Sequence, residues 1–523
     1  KWPIIPWTRS IPLQQPPRLS MDARNNHAEP IGPNTEKELS PALPSSHDND
    51  NDNDKDNDLE SAQIQPEPEK PTEKDPNLVE WDGPDDPENP QNFSRMRKWV
   101  ITVVMSSMTM WITFASSVFS TATLVTAKEF NVSTEVMVLG TSLTVFGFAL
   151  GPLFWAPLSE LYGRRLPLFS GYAIFAIFQI PVAVAQNIET IMICRFLQGV
   201  FGCSPLAVVG GAMADIWDPV DRAVAIAMFS AATFLGPTLG PIVGGFVTDS
   251  YLGWRWTAWL TLIASSFFGL LALIIVPETY SPKLLQMRAA RLRRETRNWA
   301  LHSFLDEHEP TMSEIVYKYL LRPFQMLAME PILICITIYL ALIYGILYLF
   351  FEAYPISFSE VRGWKSEGVA ALPFIGIMIG VLCGVTLIIY TTKTRFARKL
   401  KKHGRVVPEE RLVPMMIASV LLPIVIAGIP IGMGILVIFM QGLNYIIDVY
   451  MMYANSAIAA NTLIRSALGG AFPLFATQMY HKLGVNWASS VLGFITIAMI
   501  PIPILFFFYG AKIRSMSRFT PKF

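Results

Sequence analysis

The run "GPTLGPIVGG", Gly236 to Gly245, sets four glycines and two prolines into an otherwise apolar stretch. In water these are the two worst helix formers. In a bilayer, where lipid is as apolar as leucine, close helix approach comes from small residues, and Gly236, Gly240 and Gly244 recur every four residues along one face. Pro237 and Pro241 each remove a backbone hydrogen bond and bend the helix, which membrane spans tolerate because neighbouring groups satisfy the freed carbonyls. The stretch, closed by Gly245, reads either as a bent, side-chain-free seam along which one helix rocks against another, or as plain close packing.

The rest of the chain fits a lipid solvent. Of its 523 residues 52% are hydrophobic and 16% charged, and the mean hydropathy is +0.38. Apolar runs long enough to cross the ~30 Å hydrocarbon core as helices fall at 99–120, 136–158, 166–186, 189–213, 223–248 and 254–276, then at 332–354, 369–391, 413–428, 430–458, 463–481 and 487–509. The expected fold is an all-α polytopic membrane protein of two six-helix bundles, 99–276 and 332–510, joined by a central loop, 277–331. That loop carries Lys283, Arg288, Arg291, Arg293, Arg294, Arg297, Lys318 and Arg322, and a basic loop stays in the cytoplasm. The "GRR" at 163–165, Arg222, "KTRFARKLKKHGR", Arg465 and the tail 511–523 fall on the same side, against only Lys128, Arg255, Arg362, Lys365 and Lys482 on the other. Both termini are therefore expected in the cytoplasm. Within the loop, "LLQMRAARLRRETRNWALHSF" interleaves leucines, alanines and Trp299 with arginines, as an amphipathic helix on the membrane or the span ends would, or a solvated basic loop.

Residues 1–98 are rich in Pro, Asn, Asp and Glu and too poor in apolar residues to fold, so they read as a disordered tail. Its end, "WDGPDDPENPQNFSRMRKW", suits docking at a membrane surface, and the stretch before Met21 reads as an upstream extension. No cleavable signal peptide is visible, which leaves the first span as the targeting signal. Net charge is +0, so nothing draws the chain to nucleic acid. Four cysteines in apolar runs, without paired spacing or nearby histidines, suggest neither disulfides nor a zinc site. All six histidines lie in tails, loops or span ends, and no phosphate-binding loop is present. Neither an enzyme nor an ATP-driven pump is expected, and no cofactor or metal.

Three motifs at matching spans carry a family resemblance. "GPTLGPIVGG", in the fifth run, resembles the antiporter-associated motif of the major facilitator superfamily. "APLSELYGRR", after the second, is similar to that superfamily's signature loop between spans two and three, with Glu160 at the usual Asp position, Ala156 at the usual Gly position, and Gly163, Arg164 and Arg165 in place. "RFLQGVFG", Arg195 to Gly202, resembles its fourth-span motif. Beyond residue 80, "WDGPDDPENPQNF", "PETYSPKLL", "LFFEAYP", "GLNYIIDVYMMYANSAIAANTLIRSALGGAFPLFATQMY" and "GVNWASS" resemble fungal members of the twelve-span drug:proton antiporter branch. The resemblance implies a monomeric plasma-membrane exporter of drugs, toxic metabolites or polyamines in exchange for protons. A proton-coupled nutrient symporter and a non-transporting sensor on the same scaffold are the rival readings.

Ionisable groups inside a membrane are expensive, and each is a functional candidate. The resemblance assigns the position of Arg195 to proton coupling or to orienting an acidic partner; snorkelling to the membrane surface is the plainer reading. Asp448 stands in the tenth run among Asn444, Tyr445, Tyr450, Tyr453 and Asn455, which are expected to line the substrate path in the second half. It is expected either to exchange a proton as the cavity dries and wets, or to be a structural aspartate bonded to a hydroxyl. Glu352, near the outer end of the seventh run, is placed on the substrate path or in water. Glu160, Arg164 and Arg165 read as a cytoplasmic latch with Asp218, Asp221 or Arg222, or as a purely topogenic "GRR". The chain departs from similar sequences between Leu412 and Ile447, one nearly unbroken apolar segment with no polar loop. Two full spans need about 40 residues plus a turn, so spans 9 and 10 are expected to be short or partly re-entrant.

Overall fold

The computed structural model describes residues 75–307, 311–403, 407–424 and 428–519. Most of the expected disordered tail, 1–74, lies outside them. Residues 75–98, counted with that tail, have defined structure.

Helix starts follow local chemistry. Ser94, Ser133 and Asn187 stand just ahead of three helices, and each side chain accepts a hydrogen bond from a first-turn N–H, those of Arg97, Val136 and Thr190. Pro219 and Pro331 open two others, where no intrahelical donor is lost. The first half comprises span 1 (Arg95–Val118, extended by short turns to Glu129), span 2 (Thr134–Leu161), span 3 (Arg165–Ala183), span 4 (Ile188–Ile216), span 5 (Pro219–Asp249) and span 6 (Arg255–Ile275). The second half comprises span 7 (Pro331–Pro355), span 8 (Glu367–Lys402), span 9 (Leu412–Leu421) and span 10 (Gly428–Tyr450), followed by the helical stretch Ala454–Ser515. Gly484, at φ 76°, breaks that stretch. Tyr480 and Ser489, nine positions apart, meet at 3.4 Å across the break, so the chain reverses into span 11 (454–483) and span 12 (485–515). Twelve helical segments at the span positions, one of them the short span 9, are thus laid out among the described residues.

The shortening expected of spans 9 and 10 falls on span 9 alone. Its 10 helical residues reach about 15 Å, whereas the 23 of span 10 reach about 35 Å, enough to cross. Span 10 also ends earlier than its apolar run, at Tyr450, because Met451 takes a positive φ of 36° in a tight turn. Asn455 consequently belongs to span 11.

Packing repeats six spans on. Spans 1 and 5 pair, as do 7 and 11; spans 2 and 4 pair, as do 8 and 10. Small residues set each contact: Gly147 and Gly199 bring the backbones of spans 2 and 4 together, and Gly380 and Gly432 do so for spans 8 and 10. The halves meet along span 2 against span 11 and span 5 against span 8. Val145, Ala231 and Phe234 of the first half join the apolar core of the second.

One end of the bundle holds the turns at 162–164, 217–218 and 451–453 together with the central segment 276–330, here named the central-segment face; the other end is the opposite face. The amphipathic helix expected in the central loop forms, as Ser281–Thr296, ended by Arg297 in the left-handed region at φ 53°. It packs on the pre-span segment. Arg288 bonds Asp82 and Asp86, the latter at 2.6 Å, Arg291 bonds Glu88 at 2.7 Å, and the Val79 N–H donates to the His302 carbonyl at 2.8 Å.

Candidate functional site

Two arginines lie within spans, inside the bundle. Arg195 of span 4 is 2% exposed. Its Nε donates to the Gly140 carbonyl of span 2 at 2.6 Å, and one terminal nitrogen donates to the Ala115 and Ser116 carbonyls of span 1 at 3.1 and 3.2 Å. The Phe119 ring covers the guanidinium at 4.5 Å. Arg195 thus ties spans 1, 2 and 4 through backbone dipoles, with no bonded carboxylate.

The second arginine corrects the sequence reading. Arg465, counted there among loop charges, sits in the middle of span 11, half-buried. It lies between the rings of Tyr344 and Phe439, at 4.8 and 4.6 Å from their centroids. Its Nε is buried without a partner. Tyr344 donates to the Tyr348 hydroxyl at 3.4 Å, and that hydroxyl meets Ser116 Oγ of the first half at 2.9 Å. The two arginines are therefore joined through Tyr344, Tyr348 and Ser116 across the interface. The missed signal was the position of Arg465 inside "ANTLIRSALGG", where a charge has apolar neighbours on both sides.

Glu352 stands one turn from Tyr348 along span 7, toward the opposite face. It is 8% exposed, and its Oε1 has no hydrogen-bond partner. The nearby Glu360 takes His481 at 2.8 Å, and Glu367 accepts from Ser359 at 3.4 Å. Glu352 is therefore a largely buried carboxyl with no cation bonded to it among the described residues.

Asp448 is placed differently. It lies at the central-segment end of span 10, paired with Arg411 at 2.9 Å, and its partner is an arginine rather than a hydroxyl. Its neighbours in sequence do not converge on one lining. Asn444 is buried, Tyr445 turns to Phe506 of span 12, and Tyr450 donates to the buried Glu330 at 3.2 Å. Tyr453 packs on Phe519 and Arg322, and Asn455 donates to Glu160 at 2.6 Å.

Glu160 closes the central-segment face. Its carboxylate accepts from Tyr319 and, at 3.0 Å, from Lys318, both ahead of span 7, as well as from Asn455 of span 11. The expected partners of the "GRR" turn are corrected. Arg164 bonds Asp215 at 3.0 Å, and the backbone N–H groups of Arg164 and Arg165 donate to Glu278 at 2.8 and 3.0 Å. Gly163 makes this possible: its φ is +90°, and a Cβ there would lie 2.5 Å from the Glu278 carboxylate. Among the described residues Asp218 and Arg222 are joined by the backbone bond at the start of span 5, and Asp221 faces Arg95 at 3.9 Å. On the opposite face, Asp249 of span 5 accepts from Ser366 Oγ at 2.6 Å and from the Gly368 N–H at 3.2 Å, and Gln478 of span 11 donates to Glu135 of span 2 at 3.3 Å. Both ends therefore carry bonds between the halves.

Asp75, His302 and Glu307 bring ligand atoms within 4.8 Å of one another. Both ring nitrogens of His302 are already engaged, by the Ala300 carbonyl and by Glu307, each at 2.8 Å, which is the pattern of an ion pair. The Ala300 carbonyl first, and Glu307 after it, raise the His302 pKa, while Arg288 holds Asp86 down at about 2.

The profile of the Major Facilitator Superfamily matches residues 100–506. The chain belongs to the major facilitator superfamily. It is 64% identical over 466 residues to an MFS-type transporter of Aspergillus candidus, covering 86% of this chain and 92% of that one. It is also 64% identical over 472 residues to the citrinin biosynthesis cluster MFS transporter of Monascus ruber, covering 87% and 94%. The cercosporin MFS transporter of Cercospora nicotianae is 46% identical over 464 residues, covering 85% and 90%. Among solved structures, the proton:xylose symporter XylE shares the fold, with TM-score 0.52 at 15% identity over 80% of this chain and 96% of that one. As a member of the superfamily the protein is a multi-pass membrane transporter, not an enzyme.

The superfamily's fifth-span motif can now be placed. Gly236, Gly240 and Gly244 all face span 1. A Cβ at Gly240 would lie 2.9 Å from Val118 N, and one at Gly244 would lie 2.8 Å from Val118 O. Pro237 and Pro241 lie within the continuous span 5 helix. That seam lies inside the first half. Of its four glycines Gly245 turns to the other half, where its Cβ would lie 2.6 Å from Gly368 Cα of span 8, and Ile242 packs on the core of that half.

Proposed function

We propose that this transporter exports small secondary metabolites by alternating access, exchanging them for protons, as a monomer of the plasma membrane with both termini in the cytoplasm. The observation that carries the reading is the closed centre: a buried charged network between the halves, with bonds that join the halves at each end. Release of the Glu160 bonds opens the central-segment side, and release of the Asp249 bonds opens the other, so the halves rock about one fixed site. The direction is supported by the biosynthetic clusters named for the relatives, and the orientation by the excess of Lys and Arg on the central-segment side.

Glu352 is the proton-carrying group in this reading. It is the buried carboxyl between the two ends with no cation bonded to it among the described residues, placed where the rocking of the halves would carry it from one side to the other. Asp448, tied to Arg411, acts as a latch at the cytoplasmic end, and Arg195 is a positioning residue that holds spans 1, 2 and 4. The test is efflux of a panel of fluorescent substrates from a fungal strain stripped of its own exporters, with and without a protonophore. Protonophore-sensitive efflux lost in Glu352→Gln at equal surface level, and reduced only several-fold in Asp448→Asn, is expected. Efflux indifferent to both protonophore and Glu352→Gln contradicts the coupling.

A further inference from the structure

Arg465 makes no hydrogen bond and no ion pair with any described residue, although Tyr344, Phe439, Cys203 and Tyr348 surround it. A guanidinium removed from bulk water is costly unless an acceptor or a counter-charge answers it. Arg195 shows how this chain satisfies such a group when no ligand is called for, with three backbone carbonyls. Nothing comparable is supplied to Arg465. The network joining the two arginines contains hydroxyls and backbone carbonyls but no carboxylate.

We infer that Arg465 is the recognition point for an acidic aromatic substrate, bound as its carboxylate between the halves. This rests on the exporter reading and names its substrate class. The planar fork of an arginine matches a carboxylate with two parallel N–H donors, and the bonds are charge-assisted. The rings of Tyr344 and Phe439 hold the fork's plane, and Phe439 in turn packs edge-on against Phe234 of span 5 at 5.0 Å, so the cradle spans both halves. The side chain keeps accessible surface while its Nε is enclosed, which leaves the terminal nitrogens for a ligand. A planar aromatic acid suits walls of this kind through offset stacking. A cationic substrate meets two like charges instead. When the acid binds, it supplies the negative charge that the pair of arginines lacks; when it leaves, the charge is again unanswered, which favours release of the closed state.

The test uses the purified full-length chain in nanodiscs, with 2-naphthoate, 2-naphthamide and 2-naphthylmethylammonium as probes, matched in ring and differing in charge. Binding is read by thermal shift and by titration. The wild type is expected to bind the acid at least about tenfold more tightly than the amide or the ammonium. Arg465→Gln is expected to remove that preference, and Arg465→Lys, which keeps the charge, to retain part of it. Equal binding of acid and amide by the wild type, or unchanged acid preference in Arg465→Gln, overturns the inference. If Arg465→Gln fails to fold, a preference in Arg465→Lys equal to the wild type's or absent overturns it as well, because a fork geometry demands an intermediate value. Acid binding through Arg465 in a protein that shows no protonophore-sensitive efflux would sink the exporter reading alone. Protonophore-sensitive export of cations by a protein indifferent to acids would sink this inference alone.

Discussion

Arg195 and Arg465 are both arginines inside spans, yet they are treated in opposite ways. The first gives its Nε and one terminal nitrogen to carbonyls of two neighbouring helices and is capped by Phe119; the second lies between two rings and bonds no acceptor among the described residues. A charge bonded to the carbonyls of two helices holds those helices together. A charge whose donors are free awaits a partner that the chain does not provide. The difference separates a structural arginine from a recognition arginine without reference to any ligand.

The largest expected effect breaks this comparison if it fails. Arg195→Ala removes three hydrogen bonds made by a charged donor, each worth about 1.5–3 kcal/mol, and is expected to cost at least about 3 kcal/mol of stability. Arg465→Gln removes a charge that nothing in the chain answers, and is expected to leave the unfolding temperature unchanged or raise it. Thermal unfolding of the two purified variants checks both. A loss in Arg465→Gln as large as that in Arg195→Ala would make Arg465 structural too.

The gates give the next effect. Glu160→Gln weakens bonds to Lys318 and Tyr319 at the central-segment face, and Asp249→Asn weakens those to Ser366 and Gly368 at the opposite face. Single cysteines introduced near the centre are expected to label several-fold faster from the central-segment side in the first variant and from the other side in the second. Equal labelling from both sides in either variant would contradict the closed-centre reading and, with it, the idea that one central site serves both sides.

Much of this organisation was legible in the sequence. The spans follow from the apolar runs because a bilayer leaves a helix no other way to satisfy its backbone, and the break between the halves follows from its basic residues. The end of span 10 was hidden, since the turn at Met451 is made of apolar residues and a positive φ leaves no compositional trace. The partner of Asp448 was hidden as well, because Arg411 lies 37 positions away and only the short span 9 brings it alongside. Arg465 was misread for a different reason: a positive charge counts as a loop marker until its neighbours on both sides are seen to be buried. The pairing of Arg164 with Asp215, rather than with the acidic residues after it, depends on how Gly163 turns the chain onto Glu278.

The smallest effect concerns the segment ahead of span 1, far from the centre, where charges are answered at the surface. Asp86, lowered to about 2 by its bond to Arg288, contributes to docking of residues 75–94 at any pH above the usual carboxylate range, and that contribution is lost as the pH falls through about 2. His302, raised chiefly by the Ala300 carbonyl, contributes below the ordinary histidine pKa of about 6.5, and its share fades as the pH rises through its raised value. Limited proteolysis of this segment should be slowest in the mildly acidic window where both contributions hold. Protection that ignores pH between about 4 and about 9 would remove the His302 ion pair from the account.

The central claim is that a proton gradient drives an acid out through the site between the two arginines. Its most direct test is uptake of radiolabelled 2-naphthoate into proteoliposomes under an imposed pH gradient of either sign, comparing the wild type with Glu352→Gln and Arg465→Gln. Accumulation against the naphthoate gradient, reversed in direction when the pH gradient is reversed and absent from both variants, is the predicted result. Accumulation that is the same in liposomes without protein, or the same in the wild type and both variants, would contradict it.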